Sequence, residues 1–215
     1  LYIFKNTEGT PENIRKFHPN IIVSSTGSAP LLPPIAGLKD RIDNENHNIY
    51  SILGMISHIN DFPKDLEGKK VVVVGGGAVG LDVVEFFADR NADISIVEMM
   101  DQIGRDLDPV SKNDTKTMMK KHNVHQLTKT ALLEVKDSSF LVKGEGEPYE
   151  LPFEYGFVCL GMRAQGQLYQ SLTEEFSSED VEIMNIGDSQ RARRIIDGTQ
   201  EGRNILTVLE QKGYL

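Results

Sequence analysis

Val71 to Asp82 reads VVVVGGGAVGLD, and no other stretch restricts the possible folds of this chain as tightly. Four consecutive valines suit a strand buried on both faces. Gly75, Gly77 and Gly80 then take the three spaced positions of G-x-G-x-x-G ahead of an amphipathic run. Gly75 permits a tight turn, Gly77 lets a pyrophosphate approach where a Cβ would stand in the way, and Gly80 lets the helix pack close on the strand. With Gly76, Ala78 and Val79 these residues present helix-opening amides to the phosphates. About twenty residues on, the strand-like DISIVE ends in Glu98, where an acid accepts hydrogen bonds from a ribose 2′-hydroxyl. Met99, Met100 and Asp101 follow, with no lysine or arginine immediately at hand to hold a 2′-phosphate, so the pattern favours NAD(H) over NADP(H). A tight structural turn and a solvated strand end are the plain alternatives for the glycines and for Glu98.

Length and charge narrow the classes further. A chain of 215 residues with 39% apolar content can bury a sizeable core in one large domain or two modest ones. With 32 acidic against 23 basic side chains the formal charge is −9, which repels nucleic-acid backbones and anionic lipid and makes both poor partners. No stretch approaches the roughly 18 apolar residues of a spanning helix, so a soluble, cytoplasmic protein is expected. The single cysteine, Cys159, excludes an internal disulfide and any cluster ligated by cysteines of this chain alone, and it suits a reducing compartment. Residue 1 is Leu and the chain opens directly in the strand-like LYIF, which reads as a piece of something longer.

Short apolar runs at Leu1 to Phe4, Ile21 to Val23, Val71 to Val74, Ile94 to Val97, Phe157 to Leu160 and Val181 to Ile186 predict strands, and helix-sized segments span 78 to 90 and 111 to 122. Thr130 to Phe153 instead alternates apolar and polar residues between turn signals, which predicts an antiparallel meander within an α/β unit. Pro30 to Pro34 with Gly37, and Phe62-Pro63 with Glu67-Gly68, read as linkers flanking a polar, weakly periodic stretch. The expected fold class is therefore α/β: a Rossmann-like parallel sheet carrying an antiparallel β-meander.

IIVSSTGSAPLLPPIAG, VVVVGGGAVGLD, FVCLGMRAQ and VEIMNIGDSQRARRIIDGTQEGRNI occur in the order of the landmarks of two-dinucleotide-domain flavoprotein oxidoreductases. Over nearly all its length the chain resembles the C-terminal half of NADH:flavin oxidoreductases of the 2-enoate reductase, 2,4-dienoyl-CoA reductase and trimethylamine dehydrogenase type. That resemblance implies an NAD(H) domain inserted into a partial FAD domain: residues 1–38 a partial FAD segment, 39–65 a linker, 66–162 the NAD(H)-binding domain and 163–215 the returning FAD segment. It places Thr26 and Gly27 where the chain crosses near FAD, and Gly161 where the second crossing faces NAD(H). It also makes Asp188, after Gly187, the acid that binds a ribityl hydroxyl of FAD, with the following helix pointing its N-terminus at the flavin. A helix N-cap turn is the plain alternative for Gly187-Asp188. The implied activity is hydride transfer from NADH to FAD, with no acid or base required of this chain.

The departure from the family pattern is an absence. The second G-x-G-x-x-G that holds the FAD pyrophosphate is missing from this sequence, as are the flavin barrel and the cysteines of the iron-sulfur cluster found in fuller members. The FAD site is thus expected to be incomplete here. FMN, the cluster and the small-molecule substrate are assigned to a further domain, and an oligomer is compatible with the sequence. Asp82 and Glu85 are weighed as neighbours of the nicotinamide against a solvated helix face. Arg191, Arg193 and Arg194 stand as a basic cluster behind Asp188, and Gly198 inside the last helix implies a break or a close backbone approach. His122 and His125 lack a third ligand, so no metal site is expected. A non-catalytic NAD-binding regulatory module remains as the alternative class. A methyltransferase is a poorer fit, because the meander and the return segment do not suit it.

Overall fold

In a computed structural model describing residues 1–214, the elements in chain order begin with α1 (Pro11–Arg15), β1 (Ile21–Ser24), β2 (Ser28–Pro30), α2 (Leu38–Arg41), β3 (Ile49–Tyr50) and α3 (Ile52–Ser57). They continue with β4 (Lys70–Val74), α4 (Ala78–Ala88), β5 (Asp93–Val97), α5 (Pro109–Lys121), β6 (His125–Leu127), β7 (Ala131–Val135), β8 (Ser139–Lys143) and β9 (Tyr149–Pro152). The last are β10 (Tyr155–Val158), β11 (Met162–Ala164), α6 (Gln167–Glu175), β12 (Glu182–Asn185) and, after a 3-10 turn at Gly187–Ser189, α7 (Ile195–Gln211). Two compact units emerge, Pro30–Gly161 and Leu1–Ala29 with Met162–Leu215.

The larger unit is built on a parallel sheet ordered β3-β10-β4-β5-β6. Its valine run explains itself by burial on both faces. Val71 and Val73 pack with Val83, Val84 and Phe87 of α4, together with Ile94, Ile96 and Met119. Val72 and Val74 turn the other way, against Leu132, Val135, Phe140 and Val142 of the meander. The antiparallel sheet β7-β8-β9 thus covers the face opposite the helices. Gly156 makes that covering possible: a Cβ there would sit 2.7 Å from Phe140 Cζ and 2.8 Å from Phe153 Cζ. Asp108 caps α5 by accepting from Val110 N and Ser111 N, and Pro109 opens its first turn.

Residues 39–65, expected as a linker, contribute β3 and α3 to this unit, and Ile49, Met55 and Phe62 are buried in its core. The polar composition of that stretch hid three anchors spaced too irregularly to register as periodicity.

In the smaller unit β1 pairs in parallel with β12, and Ile22 packs with Leu172 and Phe176 of the α6 region. Leu1 to Phe4, expected as a strand, joins no ladder and is exposed along its whole length, with Phe4 resting on Phe17 at 5.0 Å between ring centroids. Apolar residues signal a wish for burial, but a strand also needs a neighbour to take its backbone hydrogen bonds. Among the described residues no helix is long and apolar enough to cross a membrane.

Phe140 is fully buried between the meander and the sheet, 4.5 Å from Phe153 by ring centroids. Phe140→Ala is expected to lower stability by about 3 to 5 kcal/mol through lost burial and a residual cavity. Urea unfolding followed by circular dichroism measures it.

Candidate functional site

The carboxyl ends of β4, β5 and β10 open into a cleft of about 820 Å³, within the range of small-molecule sites. It lies where the sheet order reverses, β4 leading to β5 on one side and β10 lying on the other, the position at which open α/β sheets bind ligands. Its walls include Gly75 to Val79, Glu98 to Met100, Thr130 to Leu132 and Gly161.

The glycine turn is built by close contact. A Cβ on Gly80 would collide with Gly75 O, so α4 packs directly against the turn, and one on Gly75, at φ +110°, would collide with Cys159 O. Gly77 differs: nothing lies within 4 Å of where its Cβ would stand, and Gly77 and Ala78 are exposed. That open space above a helix N-terminus is the kind of cradle a pyrophosphate fills.

The amides divide in two groups. Gly75 N–H donates to Val97 O at 2.8 Å, and Gly76 N–H donates to Glu98 Oε2 at 2.7 Å. Those two are spent inside the protein. Gly77, Ala78 and Val79 open α4 with no side-chain cap and no acceptor among the described residues, leaving their N–H groups for a ligand. Gly76 O in turn accepts from Gly104 N at 2.7 Å, which ties the loop after β5 to the turn.

Glu98 therefore points at the glycine turn, half-buried, with Oε2 on Gly76 N and Oε1 on Met100 N, each at 2.7 Å. A carboxylate offers about four lone-pair sites, so two are left for ribose hydroxyls. Met99 is exposed at the cleft wall and Gly161, at φ +103°, has open space around its missing Cβ. Gln102 and Arg105 also line the cleft. Neither carries a signal in the sequence, because the loop is held over the site by the Gly104–Gly76 bond and by Ile103 and Leu107, which pack against the distant core. Asp82 and Glu85 do not line it; they border a separate depression with Ser111 and Asp114. Partial burial raises the Asp82 carboxyl above its ordinary range.

Cys159 follows β10 directly, its N–H donating to Val74 O at 2.7 Å. Burial, with a smaller contribution from the Asp82 charge, pushes its thiol up to about 12. It is a packing residue rather than a nucleophile.

In the smaller unit Thr26 Oγ1 donates to Gln165 O, and Gly27, at φ +76°, accepts from Gln165 N at 2.9 Å. Asp188 is held by two donors: Ser28 Oγ to Oδ2 and Arg193 N to Oδ1, both at 3.1 Å. Gly187 precedes it at φ +66°. Helix α7 runs unbroken through Gly198, where a Cβ would lie 3.4 Å from Gly187 Cα. Of the two outcomes foreseen for that glycine, close backbone approach is the one realised.

A parallel sheet with helices on one face and an antiparallel meander on the other, whose glycine turn opens a helix beside a strand-end carboxylate, defines a dinucleotide-binding fold. The profile of the pyridine nucleotide-disulphide oxidoreductases matches residues 4–184, and the chain belongs to that family of FAD- and NAD(H)-binding enzymes. It is 26% identical over 235 residues to a metal reductase of Desulforamulus reducens, covering 93% of this chain and 32% of that protein. It is 27% identical over 192 residues to an NADH oxidase of Thermoanaerobacter brockii, covering 89% of this chain and 28% of that one. The chain thus spans about a third of the length of these relatives. Among solved structures, a 2-naphthoyl-CoA reductase in complex with 2-naphthoyl-CoA superposes with a TM-score of 0.74 at 22% identity, over 92% of this chain and 28% of that one. Histamine dehydrogenase from Rhizobium sp. 4-9 gives 0.73 at 14% identity, over 93% and 33%. The resemblance drawn from the ordered sequence landmarks is borne out, and so is the α/β fold class.

Two outcomes follow from this geometry. Gly77→Ala should fold with a melting temperature at or above wild type, because φ −78° suits alanine and the space is open. Gly80→Ala should lose stability by at least about 1 to 3 kcal/mol through overpacking; thermal unfolding of the pair separates the cradle position from the packing position. The Cys159 thiol should resist maleimide at pH 8 in the folded protein and react at once in urea. Its folded pKa is raised, so the stabilisation from keeping it neutral is present below the ordinary value of 9.0 and lost as pH rises from there toward about 12.

Proposed function

We propose that this chain is the NAD(H)-binding part, with an incomplete FAD site, of a flavin-dependent oxidoreductase. The enzyme passes hydride from NADH to FAD for onward reduction of an unsaturated or other small-molecule substrate by a domain outside this sequence. The observation that carries the proposal is the row of unengaged amides at Gly77, Ala78 and Val79, set in the cleft whose other wall holds Glu98.

In this reading Gly75, Gly76 and Gly80 shape the turn, and Gly77, Ala78 and Val79 donate to the pyrophosphate. Glu98 accepts from the adenosine ribose, while Met99 and Gly161 flank the dinucleotide. Gly76 is thus a structural member of the site, since its amide is already given to Glu98. A fixed carboxylate at the 2′ position repels a 2′-phosphate, which favours NADH. Arg105 lines the same cleft and is the one feature that works against this preference.

For FAD the residues present fit one end only. Thr26 and Gly27 border the crossing, and Gly187 brings the backbone close beside Asp188, whose carboxylate would take a ribityl hydroxyl. A pyrophosphate end needs a second glycine turn, which these 215 residues do not contain, so it is assigned to residues outside this sequence. An iron-sulfur cluster is assigned there too, because Cys159 is the only cysteine, and FMN goes with the flavin barrel that this sequence lacks. Bound together, NADH and FAD supply the hydride chemistry, and the chain's own residues bind and orient them without serving as acid or base.

Titrating the chain with NADH and NADPH, read by nicotinamide fluorescence, tests the proposal. NADH should bind at least about tenfold more tightly, a difference of about 1.4 kcal/mol, and Glu98→Ala should weaken NADH while narrowing that ratio. Preference for NADPH, or a Gly77→Ala variant that binds NADH as well as wild type, would count against it.

A further inference from the structure

Glu201 lies in the middle of α7, and both of its carboxylate oxygens are engaged. Oε2 accepts from Gly187 N at 2.6 Å and Oε1 accepts from Arg193 Nη2 at 2.5 Å. Gly187 stands in the left-handed region at φ +66° directly before Asp188, and the backbone N–H of Arg193 donates to Asp188 Oδ1. Glu201 thus grips the turn on both sides of Asp188, the amide before it and the side chain of the residue whose amide holds its carboxylate. Gly198, three residues earlier and so on the same face, lies against the turn, where a Cβ would stand 3.4 Å from Gly187 Cα. The two charge-assisted bonds hold the Glu201 carboxyl below its ordinary range, the Gly187 amide contributing most and the Arg193 guanidinium next. Neither Gly187 nor Glu201 is needed by the ladder of β12, which ends at Asn185.

We propose that Glu201 is the positioning residue of the flavin-facing turn: it sets the direction of the Asp188 carboxylate through Gly187 N and Arg193, so that Asp188 is preorganised before flavin arrives. This rests on the reading of Asp188 as the ribityl contact. A carboxylate on a free loop would lose rotational freedom on binding, whereas one clamped by donors has already done so. Glutamine at 201 has a single carbonyl oxygen and keeps the Gly187 bond but offers Arg193 no charge.

The test uses two readouts. In this chain, amide hydrogen exchange followed by NMR in Glu201→Ala should rise at both Gly187 and Arg193 by about tenfold or more, with exchange elsewhere in α7 unchanged. Glu201→Gln, close in shape, should protect Gly187 but not Arg193, and it decides the matter if the alanine variant loosens the whole helix. An Arg193 amide as protected in both variants as in wild type would overturn the proposal. In the full-length polypeptide carrying this sequence, Glu201→Ala should raise the FAD dissociation constant by about tenfold, Glu201→Gln by less, and Asp188→Asn by at least as much as the alanine variant. If Asp188→Asn retained FAD like wild type, the ribityl assignment would fall and the proposal with it, an outcome distinct from the exchange result.

Discussion

A single carboxylate holds the candidate site in register. Glu98 follows β5 directly and takes the amide of Gly76 at 2.7 Å, so the turn after β4 and the loop after β5 are tied together. The bond exists because β4 and β5 pair in parallel with Val74 opposite Val97, which brings the two strand ends level. The valine run of β4 suits that central place, since helices cover one side of the sheet and the meander the other. Sheet, turn and acid are one construction. A charge at the strand end would be a stray feature if the turn did not hand it an N–H.

The smaller unit repeats the device with different parts. There the gripped amide belongs to Gly187 and the carboxylate arrives from the helix that follows, at Glu201. In both places a glycine gives up its own amide to an internal acid beside the group proposed to meet the ligand: the unengaged α4 amides in one case, the half-buried Asp188 carboxylate held by Ser28 and Arg193 in the other. The polarity is opposite. Spent amides beside open amides present a donor surface for phosphate, while a clamped acid presents an acceptor surface for hydroxyls.

Sequence alone disclosed what depends on local pattern. The strand and turn at 71–80, the helix after them, the antiparallel meander and the acid at 98 each carry a signal within a short window, and each occurs where that signal put it. What escaped depends on contacts between distant positions. Ile49 and Phe62 anchor the 39–65 stretch, yet their spacing follows the shape of the core they enter rather than any period of helix or strand. Arg105 lines the cleft because its loop is anchored by the Gly104–Gly76 backbone bond and by Ile103 and Leu107 against the core. Leu1 to Phe4 shows the converse failure: apolar side chains promised a strand, and no neighbour supplies the ladder.

The charge of the chain sharpens the role of the open amides. At −9 overall, long-range repulsion opposes the arrival of a dinucleotide with its two phosphate charges. Affinity must come from donors acting at contact, where a helix N-terminus carries roughly half a positive charge and desolvated hydrogen bonds are strong. In the proposed reading Gly77 matters most on those grounds, because the space where its Cβ would stand is open. Higher salt screens the long-range repulsion while leaving short bonds largely intact, so NADH binding by this chain should strengthen or hold steady as ionic strength rises, opposite to a site that captures phosphate with lysines and arginines.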